Sequence, residues 1–220
     1  MREIVIATTK EKEVSADELY ELWKSAYAQW GDAGLKSTAL DISMDVFRRT
    51  LDTRVVLVAY DASTEEVLAM RTLVLNKKKG CAAESNLSVL PKAKRQGIGT
   101  KLMEAEAERL LKAGYRYVTC YTATTATWSV RWHLKNGYRI TGYVRSEGKN
   151  YASYRFRKQI AYDIRRHPTD LLWTRPIAPL TACVCFVVTY IATCVCKTRE
   201  GKLNWIGRWA KRVAKSLQRC

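Results

Sequence analysis

The stretch that most restricts the fold of this chain runs Leu87-Ser88-Val89-Leu90-Pro91-Lys92-Ala93-Lys94-Arg95-Gln96-Gly97-Ile98-Gly99-Thr100-Lys101-Leu102. An extended segment, Cys81 to Leu90, stops at a proline. Two glycines follow one residue apart, and a helix is predicted from Gly97 to Ala113. Its Leu102, Met103, Ala107, Leu110 and Leu111 line one face, Glu108 and Lys112 form an i,i+4 pair on the other, and Gly114 is the expected C-cap. A strand that turns tightly into a helix makes an anion site, because the first helical N–H groups have no intrahelical partner and converge on one spot. Gly97 and Gly99 let a ligand approach the backbone, and Lys94 and Arg95 add positive charge. A pyrophosphate fits such a site. A dinucleotide fingerprint is excluded because Leu102 stands where it needs a third glycine, and the phosphate loop of nucleotide triphosphatases is excluded because no Gly-Lys-Ser/Thr follows.

The flanking sequence alternates strands and helices. Ile4 to Ala7 reads as a strand. Ser15 and Glu18 have capping-box spacing, and Leu19, Leu22, Ala26 and Trp30 recur at helical intervals. A second helix is predicted over Ile42 to Leu51. Strands over Val55 to Tyr60 and Val67 to Leu75 flank the turn Asp61-Ala62-Ser63-Thr64, and a basic loop spans Asn76 to Gly80. Beyond the long helix come a strand over Tyr115 to Tyr121, a short helix over Thr127 to Asn136 closed by Gly137, and strands over Tyr138 to Arg145 and Tyr151 to Arg157. The predicted order is β α α β β β α β α β β.

The stretch from Leu87 to Gly99 resembles motif A of the GNAT superfamily of acetyl-CoA-dependent N-acetyltransferases: Leu-x-Val-x-Pro, two residues, then Arg/Gln-x-x-Gly-x-Gly/Ala and a helix. Lys94 stands where Arg or Gln is usual and keeps the charge. A second stretch, Ala126 to Tyr138, resembles the family's Asn-x-x-Ala-x-x-Leu-Tyr-x-Lys-x-Gly-Phe helix. Lys135, Gly137 and the aromatic Tyr138 agree, whereas Ala126, Ser129, Trp132 and His133 replace the Asn, Ala, Leu and Tyr. The resemblance covers about residues 3–157 and implies an α/β fold with a mixed sheet, here followed by a hydrophobic segment and a basic amphipathic helix.

In that family an amine attacks the thioester directly. The resemblance therefore implies that acetyl-CoA is held by Leu87, Val89, Lys94, Arg95, Gln96, Gly97, Ile98, Gly99 and Thr100. The Val89 amide would serve the thioester carbonyl, freed where the fourth and fifth strands splay, and the amides from Arg95 to Thr100 would hold the pyrophosphate. His133 occupies the position of the family's tyrosine, so it is the candidate proton donor to the departing thiolate; it could equally be a base, or a packing residue between Trp132 and Leu134. Glu84, on the fourth strand, is the candidate base, against the alternative of a solvated strand glutamate. Tyr138 and Tyr121 are further candidate donors. Trp128 and Trp132 either wall the acceptor pocket or lie in the core, and His167, beside Pro168, reads as structural or interfacial. No metal is expected.

The domain is expected to span residues 1–158, followed by a basic connector over 159–175, an apolar segment over 176–196 and a basic amphipathic tail over 197–220. Pro176 to Cys196 contains no charged residue, and the run Ile177–Cys196 has about the length of a bilayer core. Its eight strongly apolar residues sum to roughly −2.5 to −5 kcal/mol for insertion, partly offset by Pro179, Tyr190 and three threonines. The tail, with Leu203, Ile206, Ala210, Val213 and Leu217 on one face and Trp205 and Trp209 beside them, carries eight Lys/Arg against one Glu and so supplies +7 of the formal +17. A basic tail after an uncharged apolar run favours an anionic membrane surface over nucleic acid, for which no zinc or helix-turn-helix signature exists. Basic residues on both flanks suit a re-entrant or monotopic anchor, with a single span as the alternative. Four of the seven cysteines form two Cys-x-Cys pairs inside this run, where they read as small apolar side chains rather than ligands. The apolar stretch at the N-terminus is too short to read as a signal peptide, so the catalytic region is expected in the cytoplasm, at a membrane.

The expected function is transfer of acetyl from acetyl-CoA to the primary amine of a small molecule, such as an amino sugar of a lipid-linked or envelope pathway. A protein N-terminus or lysine is an alternative acceptor, and a non-catalytic CoA-binding membrane module an alternative role. A homodimer is compatible with all three.

Overall fold

The computed structural model describes residues 3–37, 39–174, 177–194 and 212. It divides into two compact units, Met1–Tyr115 and Arg116–Cys220. In the first, strands β1 (Ile4–Thr8), β2 (Val55–Asp61), β3 (Val67–Asn76) and β4 (Cys81–Val89) pair antiparallel in chain order. Alternation along β2 sends Val56 and Val58 to one face and Leu57 and Ala59 to the other, and all four are buried. The first face is covered by helices α1 (Ala16–Asp32) and α2 (Met44–Asp52), through Leu19, Leu22, Trp23, Tyr27 and Phe47. The second is covered by helix α3 (Ile98–Lys112), through Ile98 and Leu102, with Ala93 of the preceding turn.

Ser15 caps α1 as its spacing predicts, whereas α2 starts at Met44, two residues after the expected Ile42, because Ser43 serves as its N-cap. Ser15 Oγ accepts the Glu18 N–H at 3.1 Å, and Ser43 Oγ accepts that of Val46 at 3.4 Å. The expected loop after β3 contains a short 3-10 turn, Lys77–Lys79, closed by Gly80. The α3 core face differs from the expectation in one respect: Leu111 is 52% exposed, and Glu106 is buried in the stripe with Leu102 and Leu110. Positions 98, 102, 106 and 110 lie on one helical line, so the carboxylate enters the core, where Arg71 of β3 meets it through Nε; both side chains are 1% exposed.

The second unit carries strands β5 (Tyr117–Ala123), β6 (Arg139–Arg145) and β7 (Ala152–Gln159), with β7 paired antiparallel to both of the others. Helix α4 (Thr127–Lys135) follows β5. Residues beyond 158 stay packed on this sheet. Arg157 lies between the rings of Tyr117 and Trp173, 3.8 and 3.9 Å from their centroids, and Gln159 accepts from its Nη2 at 2.9 Å. Burial pulls its guanidinium down to about 10. Asp170, in the 3-10 stretch Pro168–Trp173, is fully buried and accepts from Arg116 Nη1 and, at 2.9 Å, from the Asp163 N–H.

The apolar run forms helix α5 (Ala178–Cys194). It lies along β6: Thr189 Oγ1 accepts the Tyr143 N–H at 3.0 Å, and Thr193 Oγ1 donates to the Tyr143 carbonyl at 3.2 Å. These two hydroxyls occupy the side of β6 away from β7 and cover a sheet edge that a bare strand would leave open. Phe186 and Tyr190 add ring contacts to Tyr154 and Tyr143. Among the described residues no helix is long and apolar enough to cross a membrane. Residues 195 and 196 of the expected segment, and the amphipathic tail apart from residue 212, lie outside the described residues.

Candidate active site

The first unit contains the turn and helix start on which the sequence predicts an anion site. A 3-10 turn, Pro91–Ala93, leads to Arg95 and Gly97, both with left-handed backbone at φ +63° and +78°, and Gly97 is the N-cap of α3. The helical ladder starts with the N–H groups of Thr100 and Lys101, both bonded to the Gly97 carbonyl at 3.0 Å. For the five preceding amides, Arg95 to Gly99, no acceptor occurs among the described residues. Arg95, Gln96 and Gly97 are exposed, while buried Ile98 pins the helix start to the sheet. The result is an open rim of N–H groups at the positive end of a 15-residue helix. A β-carbon on Gly97 would meet nothing within 4 Å, so the glycine is needed there for its backbone angle and not for room.

The Lys94 side chain does not simply add charge to this rim. Its Nζ donates to Gln29 Oε1 of α1 at 2.6 Å, and burial holds the ammonium below the usual lysine value. The Arg95 side chain is exposed at the turn. Gln96 Nε2 donates back to the Lys92 carbonyl at 2.8 Å and braces the loop.

Leu87 and Val89 point their side chains into the α3 face, so the Leu-x-Val spacing is a strand period of two that seats β4 on the helix bearing the rim. The Leu90 N–H bonds to the Leu68 carbonyl at 2.9 Å. Antiparallel pairs alternate between hydrogen-bonded and open, so the next pair, Val89 with Ala69, is open and the Val89 N–H points away from β3. Upstream, Thr72 pairs with Asn86 and Leu73 with Glu84, which makes Ser85 an extra residue in β4. Asn86 Oδ1 accepts from Tyr27 of α1 at 2.8 Å, a tie that links the bulge to the helix. Glu84 is placed on β4 by its backbone; its side chain lies outside the described residues.

In the second unit the short helix brings His133 and Tyr138 together. Gly137, at φ +81°, ends α4: its N–H bonds to the Leu134 carbonyl at 3.2 Å and that of Tyr138 to the His133 carbonyl at 3.0 Å, a Schellman pair. The cap folds the Tyr138 ring onto the imidazole at 5.1 Å, while Phe156 stacks on it at 4.8 Å and Trp132 meets it edge-on at 5.0 Å. Both His133 and Tyr138 are buried. His133 Nδ1 lies 2.7 Å from the Ser129 carbonyl, and a carbonyl only accepts, so Nδ1 carries the hydrogen and Nε2 is the nitrogen that can exchange a proton. Ser129 Oγ in turn accepts from Thr122 Oγ1 at 2.9 Å. The serine that replaces the family's alanine thus joins β5 to the histidine helix. Tyr121 is 56% exposed on β5, and Trp128 is exposed on α4. His167 precedes the Pro168–Trp173 stretch, and its N–H bonds to the Asp163 carbonyl at 2.7 Å.

Gln29, Tyr27 and Asn86 escape the sequence reading, since each depends on a contact between a helix and a strand far apart in the chain. The Glu106 of the helical line 98-102-106-110 could have been found from periodicity, since a carboxylate in an apolar stripe demands a buried cation. Cys183 is exposed and Cys185 buried, so this Cys-x-Cys pair points to opposite sides of α5.

The residues 16–138 match the Acetyltransferase (GNAT) family. No curated protein matches the chain. Among solved structures, the ribosomal-protein-S18-alanine N-acetyltransferase of Escherichia coli aligns with a TM-score of 0.60 at 14% identity, covering 73% of this chain and 96% of that one. The PaiA N-acetyltransferase of Thermoplasma acidophilum, solved in complex with coenzyme A, aligns at 0.56 and 17% identity, covering 71% and 99%. A GNAT family acetyltransferase of Elizabethkingia anophelis with acetyl-CoA bound aligns at 0.53 and 16% identity, covering 71% and 97%. With a family match over more than half of its length and the same α/β fold in these structures, the chain belongs to the GNAT acetyltransferase family and is an acyltransferase.

Proposed function

We propose that this protein transfers the acetyl group of acetyl-CoA to the primary amine of a small molecule, and that it works at a membrane with its catalytic region in the cytoplasm. The observation that carries the acyl-transfer reading is the rim of amides from Arg95 to Gly99 with no acceptor among the described residues, open at the N-terminus of α3. Such a rim matches the pyrophosphate of coenzyme A in charge and in donor count, and solved family members with coenzyme A or acetyl-CoA support the assignment. Arg95 adds its charge, Lys94 braces the turn against α1, and the outward N–H of Val89 is the donor for the thioester carbonyl and the oxyanion that succeeds it.

Direct attack needs a neutral amine, a base to receive its proton and an acid for the thiolate. Glu84 is the base in this reading. Acting as the imidazolium, His133 gives its Nε2 proton to the departing thiolate and is left as the neutral tautomer whose Nδ1–H donates to the Ser129 carbonyl, with the Tyr138 hydroxyl as the second donor. The membrane placement rests on the uncharged helix α5 and the basic sequence after it, and a membrane placement favours an acceptor that is itself lipid-linked or destined for an envelope.

Calorimetric titration with coenzyme A tests the first step. Micromolar binding that weakens at least about tenfold in Arg95→Glu is expected, and no heat of binding in the wild type overturns the reading. Thiol release from acetyl-CoA across a panel of amines tests the second; His133→Phe should lower turnover by about a hundredfold or more, and an unchanged rate removes His133 from proton transfer.

A further inference from the structure

We infer that α5 is an in-plane anchor whose exposed stripe of Leu180, Val184, Val187 and Ile191 enters the headgroup boundary of an anionic bilayer while its other face stays on the sheet. The inference rests on the membrane part of the proposed function and is independent of the acyl chemistry.

The four aliphatic residues are spaced i, i+4, i+7 and i+11, which places them on one side of the helix. All four are exposed, Leu180 the most at 68%, and no charged residue interrupts α5. A soluble surface helix normally spends such positions on polar side chains, so a contiguous aliphatic stripe marks a contact surface. The opposite side is fixed. Cys185 is fully buried, Ala178 and Ala182 join Trp173 in a core cluster, and Thr189 and Thr193 hold both backbone groups of Tyr143. A helix tied to a strand along its length cannot also be wrapped by acyl chains. At 17 residues it would extend about 26 Å, short of a hydrocarbon core of about 30 Å. Lying flat is the arrangement that satisfies both faces.

Charge names the occupant. Arg165 and Arg166 are exposed ahead of α5, and residues 197–220 after it carry eight Lys/Arg and one Glu. Basic groups held at an anionic surface contribute about 1 kcal/mol each. A second copy of the chain seated on the same stripe would bring two such tails, each +7, to one interface and would be opposed by their repulsion. An anionic bilayer is attracted by the same charges.

Flotation of the full chain with vesicles of phosphatidylcholine alone, or mixed with phosphatidylglycerol, tests this directly. The chain should float with the mixed vesicles, less so at high salt. Leu180→Asp and Val187→Asp should each reduce the bound-to-free ratio at least about tenfold without moving the thermal midpoint, because both side chains are exposed. Flotation that is indifferent to these substitutions, or to phosphatidylglycerol, overturns the inference. So does a two-chain mass by light scattering in the absence of lipid that the same substitutions reduce to one chain, since the stripe would then belong to a second copy. Cell fractionation separates the two levels of the claim. Protein that pellets with membranes and resists alkaline carbonate keeps the tether but overturns the in-plane helix, whereas protein absent from the membrane fraction overturns the tether itself.

Discussion

Arg95 and Gly97 show how much of the site is set by single backbone angles. Both are left-handed, a state that costs a residue with a side chain roughly 1–2 kcal/mol. Gly97 adopts it at low cost; Arg95 bears the strain and places its charge on the rim. Gly97→Ala should therefore lower stability by about 1 kcal/mol through conformation alone, because the added carbon meets nothing within 4 Å. It should also weaken coenzyme A binding more than it changes turnover of bound substrate, which a comparison of KM with kcat reads out. A second residue-scale effect lies outside the site. Arg109, 3.0 Å away, and the Thr8 N–H hold the Glu11 carboxyl at about 2, down from 4.5. A carboxylate with a lowered folded value stabilises the fold above its unfolded value and loses that contribution as the pH falls through the folded one. The window for Glu11 is therefore pH 4.5 down to about 2. Arg109→Leu should return the Glu11 titration, followed by carboxyl NMR, most of the way to 4.5, and salt should do part of the same because the pair is exposed.

Three helices end in the same device. Gly34, Gly114 and Gly137 are left-handed at C′ of α1, α3 and α4, and in each the glycine N–H and the next residue's N–H bond to carbonyls in the last turn. A β-carbon at any of the three has open space, so alanine should cost about 1 kcal/mol each in thermal unfolding, and Gly114→Ala with Gly137→Ala should add within a few tenths. Gly137→Ala should lower activity as well, since that cap sets Tyr138 against His133. These caps explain what was legible in the sequence and what was not. The order of strands and helices through β7 is as predicted because glycines, prolines and Ser15 mark the boundaries locally. The start of β5 falls at Tyr117 instead of Tyr115 because Tyr115 completes the α3 cap, its N–H bonded to the Leu110 carbonyl; an unbroken β-rich run shows no sign of that. The Leu-x-Val and Lys-x-Gly-Tyr spacings were readable as motifs, and the fold gives them causes, a strand period and a Schellman turn. The Lys94–Gln29 contact, the bulge at Ser85 and the threonine bonds from α5 to β6 were not readable, because each pairs residues that no local pattern connects.

At the scale of the whole molecule, among the described residues each compact unit contains a buried arginine–carboxylate pair, Arg71 with Glu106 in the first and Arg116 with Asp170 in the second. Removing one member of such a pair leaves a desolvated charge and typically costs 3–5 kcal/mol, a large share of the roughly 5–15 kcal/mol that holds a domain together. Glu106→Gln should therefore lower the thermal midpoint sharply, and Arg71→Met combined with Glu106→Leu should recover much of the loss, since no charge then stays buried. The second pair makes a prediction about which residues after β7 the second unit needs for its stability. A chain ending at residue 158 would lose Asp170 from Arg116 and Trp173 from Arg157, leaving two arginines that are almost fully buried without these partners. It would also strip β6 of the helix that meets both backbone groups of Tyr143. A chain ending at residue 196 keeps all of these. The shorter chain should express poorly or unfold several kilocalories per mole earlier in urea, and the longer one should match the full-length protein. Equal midpoints for the two truncations would show that the packing from Ile160 to Cys194 contributes nothing to stability, and the ionic clamp at Asp170 would then have to be read as decoration on a sheet already complete at β7.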